Sequence, residues 1–143
     1  MPVPTAAETV ATLMRAADLA RRQMTAIVDP HGLTLQQFNV LRILRGAGDD
    51  GVPTLEVASR MVEQTPGITR LLDRLERKEL IRRQRCPKDR RQHLCWITPK
   101  GLALLHKLDA PIARTHEDTL KGLRAKDRAA FLHLLVALRA AHG

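Results

Sequence analysis

Aromatic side chains are nearly missing from this chain: its 143 residues include Phe38, Phe131 and Trp96 and no tyrosine. A core must then be built from Leu, Ala, Val and Met, which suits helices packed on helices better than a sheet sandwich. The same scarcity speaks against single-stranded nucleic-acid binding, which stacks bases on exposed rings. Cysteine is scarce too. With only Cys86 and Cys95 and no signal sequence, a reduced, cytoplasmic protein is expected. No apolar run approaches a membrane span, so no membrane partner is expected. Nucleophile motifs, glycine-rich phosphate loops and paired carboxylates are absent from the pattern. His31, His93, His106, His116, His133 and His142 are scattered, and His106 and His116 stand ten residues apart instead of the four of a helical metal pair. No enzyme activity, metal or cofactor is therefore expected.

Positive charge is what the chain has in excess. The net charge is +9, which makes a polyanion the expected partner: nucleic acid first, an acidic membrane second. The excess is local. Between Arg70 and Arg91 ten basic residues face four acidic ones, leaving +6 of the total in one short stretch. A charge that served only solubility would be spread more evenly.

That stretch reads as a helix followed by a basic two-stranded hairpin. Thr65 suits an N-cap and Pro66 a first helical position. Ile68, Leu71, Leu72 and Leu75 then recur as one apolar stripe. Thr69, Arg70, Asp73, Arg74 and Arg77 occupy the other face. After Leu80 and Ile81 comes Arg82-Arg83-Gln84-Arg85, and Pro87 to Gln92 forms an exposed turn before a returning strand, His93-Leu94-Cys95-Trp96-Ile97.

Along the rest of the chain, Thr5 and Glu8 form a capping box that opens a long helix ending at Asp29-Pro-His-Gly32. Thr34 and Gln37 form a second box before a helix with Phe38, Leu41 and Leu44 inward. Gly46 to Gly51 reads as a loop. Val52-Pro53 is expected to pair with the hairpin. Thr54 is expected to cap a short helix with Leu55, Ala58, Met61 and Val62 apolar. Only Glu63, Gln64 and the Thr65 cap separate it from the next helix, as in a helix-turn-helix. Thr98 and Pro99 start a helix carrying Leu102, Leu105, Leu108 and Ile112, with a kink expected at Pro111. A last helix from about Ala125 carries Phe131, Leu134, Leu135 and Leu138.

The residues Thr65-Pro-Gly-Ile-Thr-Arg-Leu-Leu-Asp-Arg-Leu-Glu76, Leu80-Ile81-Arg82-Arg83, Pro87-Lys-Asp89-Arg90-Arg91 and Ile97-Thr98-Pro-Lys-Gly101 resemble the winged helix-turn-helix of the MarR family of bacterial transcription regulators. The Asp-Arg-Arg turn, followed at this spacing by a strand and Ile-Thr-Pro-Lys-Gly, is the most specific part. The resemblance spans essentially the whole chain. It implies a mainly α fold with a small β-hairpin wing, as one domain over 1–143. The winged helix-turn-helix core would span about 34–98, and N- and C-terminal dimerisation helices about 5–28 and 99–141. It also implies a homodimer, in which Val10, Leu13, Leu120, Leu123, Leu134 and Leu138 meet a second copy instead of packing within the monomer, and a palindromic site to match the two-fold axis.

The implied function is a sequence-specific, double-stranded DNA-binding regulator, a repressor responsive to a small aromatic or anionic effector. Gln64, Thr65, Pro66, Gly67, Thr69 and Arg70 should reach base edges. Arg70 suits guanine, and the Pro66 and Thr69 carbons suit thymine methyls. Arg74 and Arg77 should meet phosphates, with Thr54 counted among the DNA contacts. The plain alternative for this helix face is a solvated surface with Asp73 paired to Arg77. At the turn, Lys88, Asp89, Arg90 and Arg91 complete the set. The family places an arginine here in the narrow minor groove, with an acidic residue to fix it.

Two departures stand out: Glu79 where the family often has Gly, which would strain a left-handed cap, and Cys86 where it often has Asp. The effector cleft is expected around Phe38, Leu41, Arg42 and His106. Cys86 beside Arg85 and Lys88 raises a redox reading, but the sensing cysteine of peroxide-responsive relatives lies near the N-terminal helix, where this chain has none. The rival functions are a nucleoid-type protein that binds any duplex and a membrane-surface protein, although the basic hairpin lacks a lipid-facing stripe.

Overall fold

The computed structural model describes residues 2–89 and 91–143. Local capping chemistry sets the starts of three helices. At the head of α1 (Ala6–Val28) the Thr5 N–H donates to the Glu8 carboxylate at 2.9 Å, and the Glu8 N–H donates to the Thr5 hydroxyl at 3.1 Å. Those two bonds satisfy donors that the first turn leaves orphaned. A 3-10 turn, Asp29–His31, closes the helix. Thr34 and Gln37 repeat the box at the head of α2 (Leu35–Ala47).

The stretch expected to be a loop is more ordered than that. α2 runs on to Ala47, and Gly48–Asp50 form a 3-10 turn. Glycine and aspartate have low helix propensity, but here a distant contact holds the turn: the Trp96 indole N–H donates to the Asp49 carbonyl at 2.9 Å. The expected pairing of Val52-Pro53 is present. Strand β1 (Val52–Pro53) lies antiparallel to β3 (His93–Ile97), whose other edge carries β2 (Ile81–Arg85), in the order β1-β3-β2.

Both helices of the helix-turn-helix begin differently from expectation. Thr54 does not cap α3 (Thr54–Arg60), because Pro53 occupies the cap position. The Thr54 hydroxyl turns instead to the His93 carbonyl on β3, 3.4 Å away. The expected stripe on α3 also divides. Ala58 and Met61 are half-buried, whereas Leu55 and Val62 are 79% and 85% exposed, and the one fully buried residue of the helix is Val57, which the expected stripe left out.

α4 (Ile68–Arg77) starts two residues later than Thr65 and Pro66 suggested. Its cap is Gly67 at φ 78°, a left-handed value that only glycine adopts freely and that cannot lie inside a helix. The Thr65 hydroxyl donates to the Glu63 carbonyl at 3.2 Å instead of capping. Residues 61–67 therefore connect the helices, a longer turn than the one read from the sequence. Asn39 of α2 closes it by accepting the Val62 N–H at 2.7 Å.

The α4 stripe packs as expected. Leu72 and Leu75 are fully buried among Phe38, Leu41 and Leu44, with Leu105, Leu108 and Ile112 of α5 (Pro99–Thr119) in the same core. The Thr98 hydroxyl caps α5 by accepting the Gly101 N–H at 3.1 Å, and the helix continues past Pro111. A Cβ on Gly101 would stand 2.4 Å from the Leu80 carbonyl oxygen, so the close approach of α5 to the end of α4 requires glycine.

The chain forms two compact units. Met24–Ile112 holds every buried residue among those described. The other unit comprises the residues up to Gln23 together with Ala113–Gly143, including α6 (Ala125–Ala140). Within it Leu13 and Ala16 face Phe131, Leu134 and Leu138 across an apolar cleft of about 460 Å³. Gln23 donates to Asp118 at 3.3 Å, and Arg128 pairs with Glu117 at 2.7 Å. Among the described residues no helix is long and apolar enough to cross a membrane.

Candidate nucleic-acid interface

Burying Leu72 and Leu75 leaves α4 with its polar face outward. Thr69, Arg70, Arg74 and Arg77 are all exposed, and none of the three arginines forms an ion pair with a described residue. Asp73 does not pair with Arg77. It is taken by Arg83 of β2, which also holds Glu76 at 3.1 Å. Arg77 is thereby left to solvent. In the turn before α4, Gln64, Pro66 and Gly67 are exposed and Thr65 half-buried. A cleft of about 480 Å³ brings Thr65, Pro66, Gly67, Arg70 and Arg74 together. Thr34 and Gln36 at the head of α2 line it too, and neither was among the expected contacts. Gln36 carried only one signal, a polar residue in the first turn of a helix whose apolar positions were already assigned. Thr54 is half-buried, its hydroxyl turned towards β3.

At the end of α4, Glu79 takes φ 62°. The Leu80 N–H donates to the Leu75 carbonyl at 3.1 Å and the Glu79 N–H to the Glu76 carbonyl at 2.9 Å. This is a Schellman ending, with a left-handed residue at the position that favours glycine. The motif forms with Glu79 despite its Cβ, because buried Leu75 and Leu80 fasten both sides of it. It turns the chain directly into β2 and aims the hairpin.

The hairpin arginines divide by strand alternation. Arg82 points away from α4 and stacks on the Trp96 ring at 4.2 Å. Arg83, one residue on, is half-buried against α4. Burial lowers its pKa, but the bonds to Asp73 and Glu76 outweigh burial and hold it above the ordinary value. Lys78 is also engaged, its ammonium bonded to the Gly32 carbonyl and, at 3.3 Å, to Gln37. At the tip, Lys88, Asp89 and Arg91 are exposed, while Arg90 lies outside the described residues. The Asp89 carboxylate accepts the Arg91 backbone N–H at 3.0 Å, so it shapes the backbone from which Arg91 projects.

The four expected effector residues are placed unevenly. Phe38 and Leu41 are buried in the core, and the Arg42 guanidinium lies over the Phe38 ring at 5.8 Å. His106 is exposed, its Nδ1 4.0 Å from Asp109. A hydrogen bond from Arg45 holds the Asp109 carboxyl below its usual range. The cysteines differ as well. Cys86 is half-buried, and burial pushes the buried Cys95 thiol up, which disfavours the reactive thiolate. The described residues contain no cluster of His, Cys, Asp or Glu able to hold a metal ion.

The arrangement of helix, turn, helix and three-stranded wing is also found in known proteins. The model of the MarR family matches residues 33–93. The crystal structure of a MarR transcription factor from Planctomyces limnophilus is 33% identical, with 99% of each chain covered and a TM-score of 0.73. The chain belongs to the MarR family. Its fold is the mainly α winged helix-turn-helix implied by the sequence resemblance. The HTH-type transcriptional regulator MhqR of Bacillus subtilis (strain 168) is 34% identical over 96 residues, and the match covers 67% of this chain and 65% of that protein. A cysteine-to-serine mutant of MarR from E. coli, solved in complex with operator DNA, is 25% identical. In that comparison 90% of this chain and 91% of that chain are covered, with a TM-score of 0.82.

Proposed function

We propose that this MarR-family protein is a transcriptional regulator that binds double-stranded DNA sequence-specifically, as a homodimer on a palindromic operator, and acts as a ligand-responsive repressor. The observation that carries the reading is the exposed set Arg70, Arg74 and Arg77 on α4, none of them ion-paired with a described residue, beside a wing tipped with Lys88 and Arg91. An α-helix fits the major groove, where an arginine near the helix start can read guanine. A cation on a thin hairpin reaches the flanking minor groove. The E. coli relative solved with operator DNA supports the same use of the fold. For the homodimer, the support is the apolar face of α6, with Leu134 65% exposed; water is a poor environment for such a stripe and a second copy a good one.

The effector part of the proposal is a small aromatic or anionic molecule that prefers the DNA-free form. Arg42 and His106 supply exposed cationic or titratable groups for it. Linkage makes the effect reciprocal: the ligand weakens DNA by the factor by which DNA weakens the ligand. The test is footprinting on the DNA upstream of the protein's own gene, with mixed-sequence competitor. Protection of a palindrome that survives competition supports the reading. Binding that competitor removes entirely would make the protein a nucleoid-type binder instead.

A further inference from the structure

Arg83 occupies a place where strand alternation would ordinarily put an apolar side chain. Ile81 and Arg83 lie on the same face of β2; Ile81 is 2% exposed, and Arg83 stands opposite the fully buried Cys95 of β3. Its guanidinium bridges Asp73 and Glu76 of α4, and its backbone N–H donates to Glu76 as well, at 3.1 Å. The side chain is only 17% exposed, so it is ill placed to meet a bound duplex. The two carboxylates are better placed to meet one: they keep 43% and 42% exposure. At about 100° per residue, Asp73 falls between Thr69 and Arg77 on the outward face of α4. A bare carboxylate there would repel phosphates, because at 0.1 M salt charges closer than about 10 Å are not fully screened.

We propose that Arg83 is a positioning residue of the DNA interface, which masks Asp73 and Glu76 so that the outward face of α4 meets DNA as a cation. It acts through those two carboxylates and touches no nucleic acid. Arginine suits the task because its planar fork can serve two carboxylates and stays charged when half-buried. The inference rests on the DNA-binding reading above.

The test measures binding of a mixed-sequence duplex across a salt series for the wild-type chain, R83Q, D73N/E76Q and R83Q/D73N/E76Q, with folding checked by circular dichroism. If the wild-type chain binds no duplex, the DNA-binding reading fails, and this inference with it. If it binds, R83Q should weaken binding at least tenfold at low salt. The triple variant should recover to within threefold of wild type, because the charges that needed masking are gone. The salt slope of R83Q should match wild type, whereas a lost phosphate contact would flatten it by about 0.9. Failure of the triple variant to recover would reduce Arg83 to a brace for the hairpin, and a flattened slope would make it a direct contact. Either result overturns masking alone. Should R83Q not fold, D73N/E76Q decides: unchanged or tighter binding supports masking, and a tenfold loss refutes it.

Discussion

Leu72 and Leu75 of α4 are fully buried, whereas Leu134 and Leu138 of α6, on a similar apolar stripe, are 65% and 49% exposed. The difference lies in what faces each helix. In Met24–Ile112, α2, α5 and a small sheet surround the stripe of α4, and the leucines find partners within the chain. In the terminal unit α6 has no buried residue at all. Identical side-chain chemistry thus makes a core in one region and an open face in the other. An amphipathic pattern specifies that a stripe will be covered, but not by which chain.

The largest expected effect comes from breaking the open face. Leu134→Asp puts a charge where the proposed second copy docks, and sedimentation should show a folded monomer. DNA affinity should fall by about 10² or more, because the second half-site loses its high effective concentration. A variant that stays dimeric and binds DNA normally would mean that the α6 face is simply exposed. An effect of similar size, but on stability alone, is expected in the core. Leu72→Ala should lower the unfolding free energy by about 2–5 kcal/mol in urea titrations. Because that contact lies within one chain, the loss should not depend on protein concentration, unlike the loss at Leu134.

The comparison sharpens further among the cations of the core unit. Arg70→Ala should relax sequence preference, at about 1–3 kcal/mol if it reads a base pair. Binding curves on the footprinted site and on random duplex would separate; an equal loss on both would make Arg70 a phosphate contact. The smallest expected effect is at the end of α4. Glu79→Gly should stabilise the fold by about 0.5–1 kcal/mol, seen as a higher urea midpoint, since φ 62° costs glycine no Cβ strain. The Lys100 partner it loses, 4.0 Å away and exposed, is worth little.

Much of the fold was legible because its signals are local. The boxes at Thr5-Glu8 and Thr34-Gln37 satisfy their own helix ends within four residues, so they work in any context. The α4 stripe, the wing strands and the cap at Thr98 were readable for the same reason, whereas the left-handed position at Glu79 was implied only by the family resemblance. The candidate site was legible as a list of cations but not as a division of labour. That Arg70, Arg74 and Arg77 stay unpaired among the described residues while Arg83, Lys78 and Arg82 are engaged depends on which elements touch. Thr65-Pro66 misled because a good cap sequence competes with its surroundings. Gly67 in a left-handed conformation and the tether from Asn39 to Val62 moved the helix start.

By itself, then, the sequence determined the helices, the strands, the caps at Thr5, Thr34 and Thr98 and the location of the positive charge, because each depends on neighbours a few residues away. The tertiary structure alone decided which charges are free. Arg83 and Asp73 are ten residues apart in the chain and meet only because the turn at Glu79 folds β2 back along α4. Contacts of that kind depend on the path of the backbone, which periodicity does not encode.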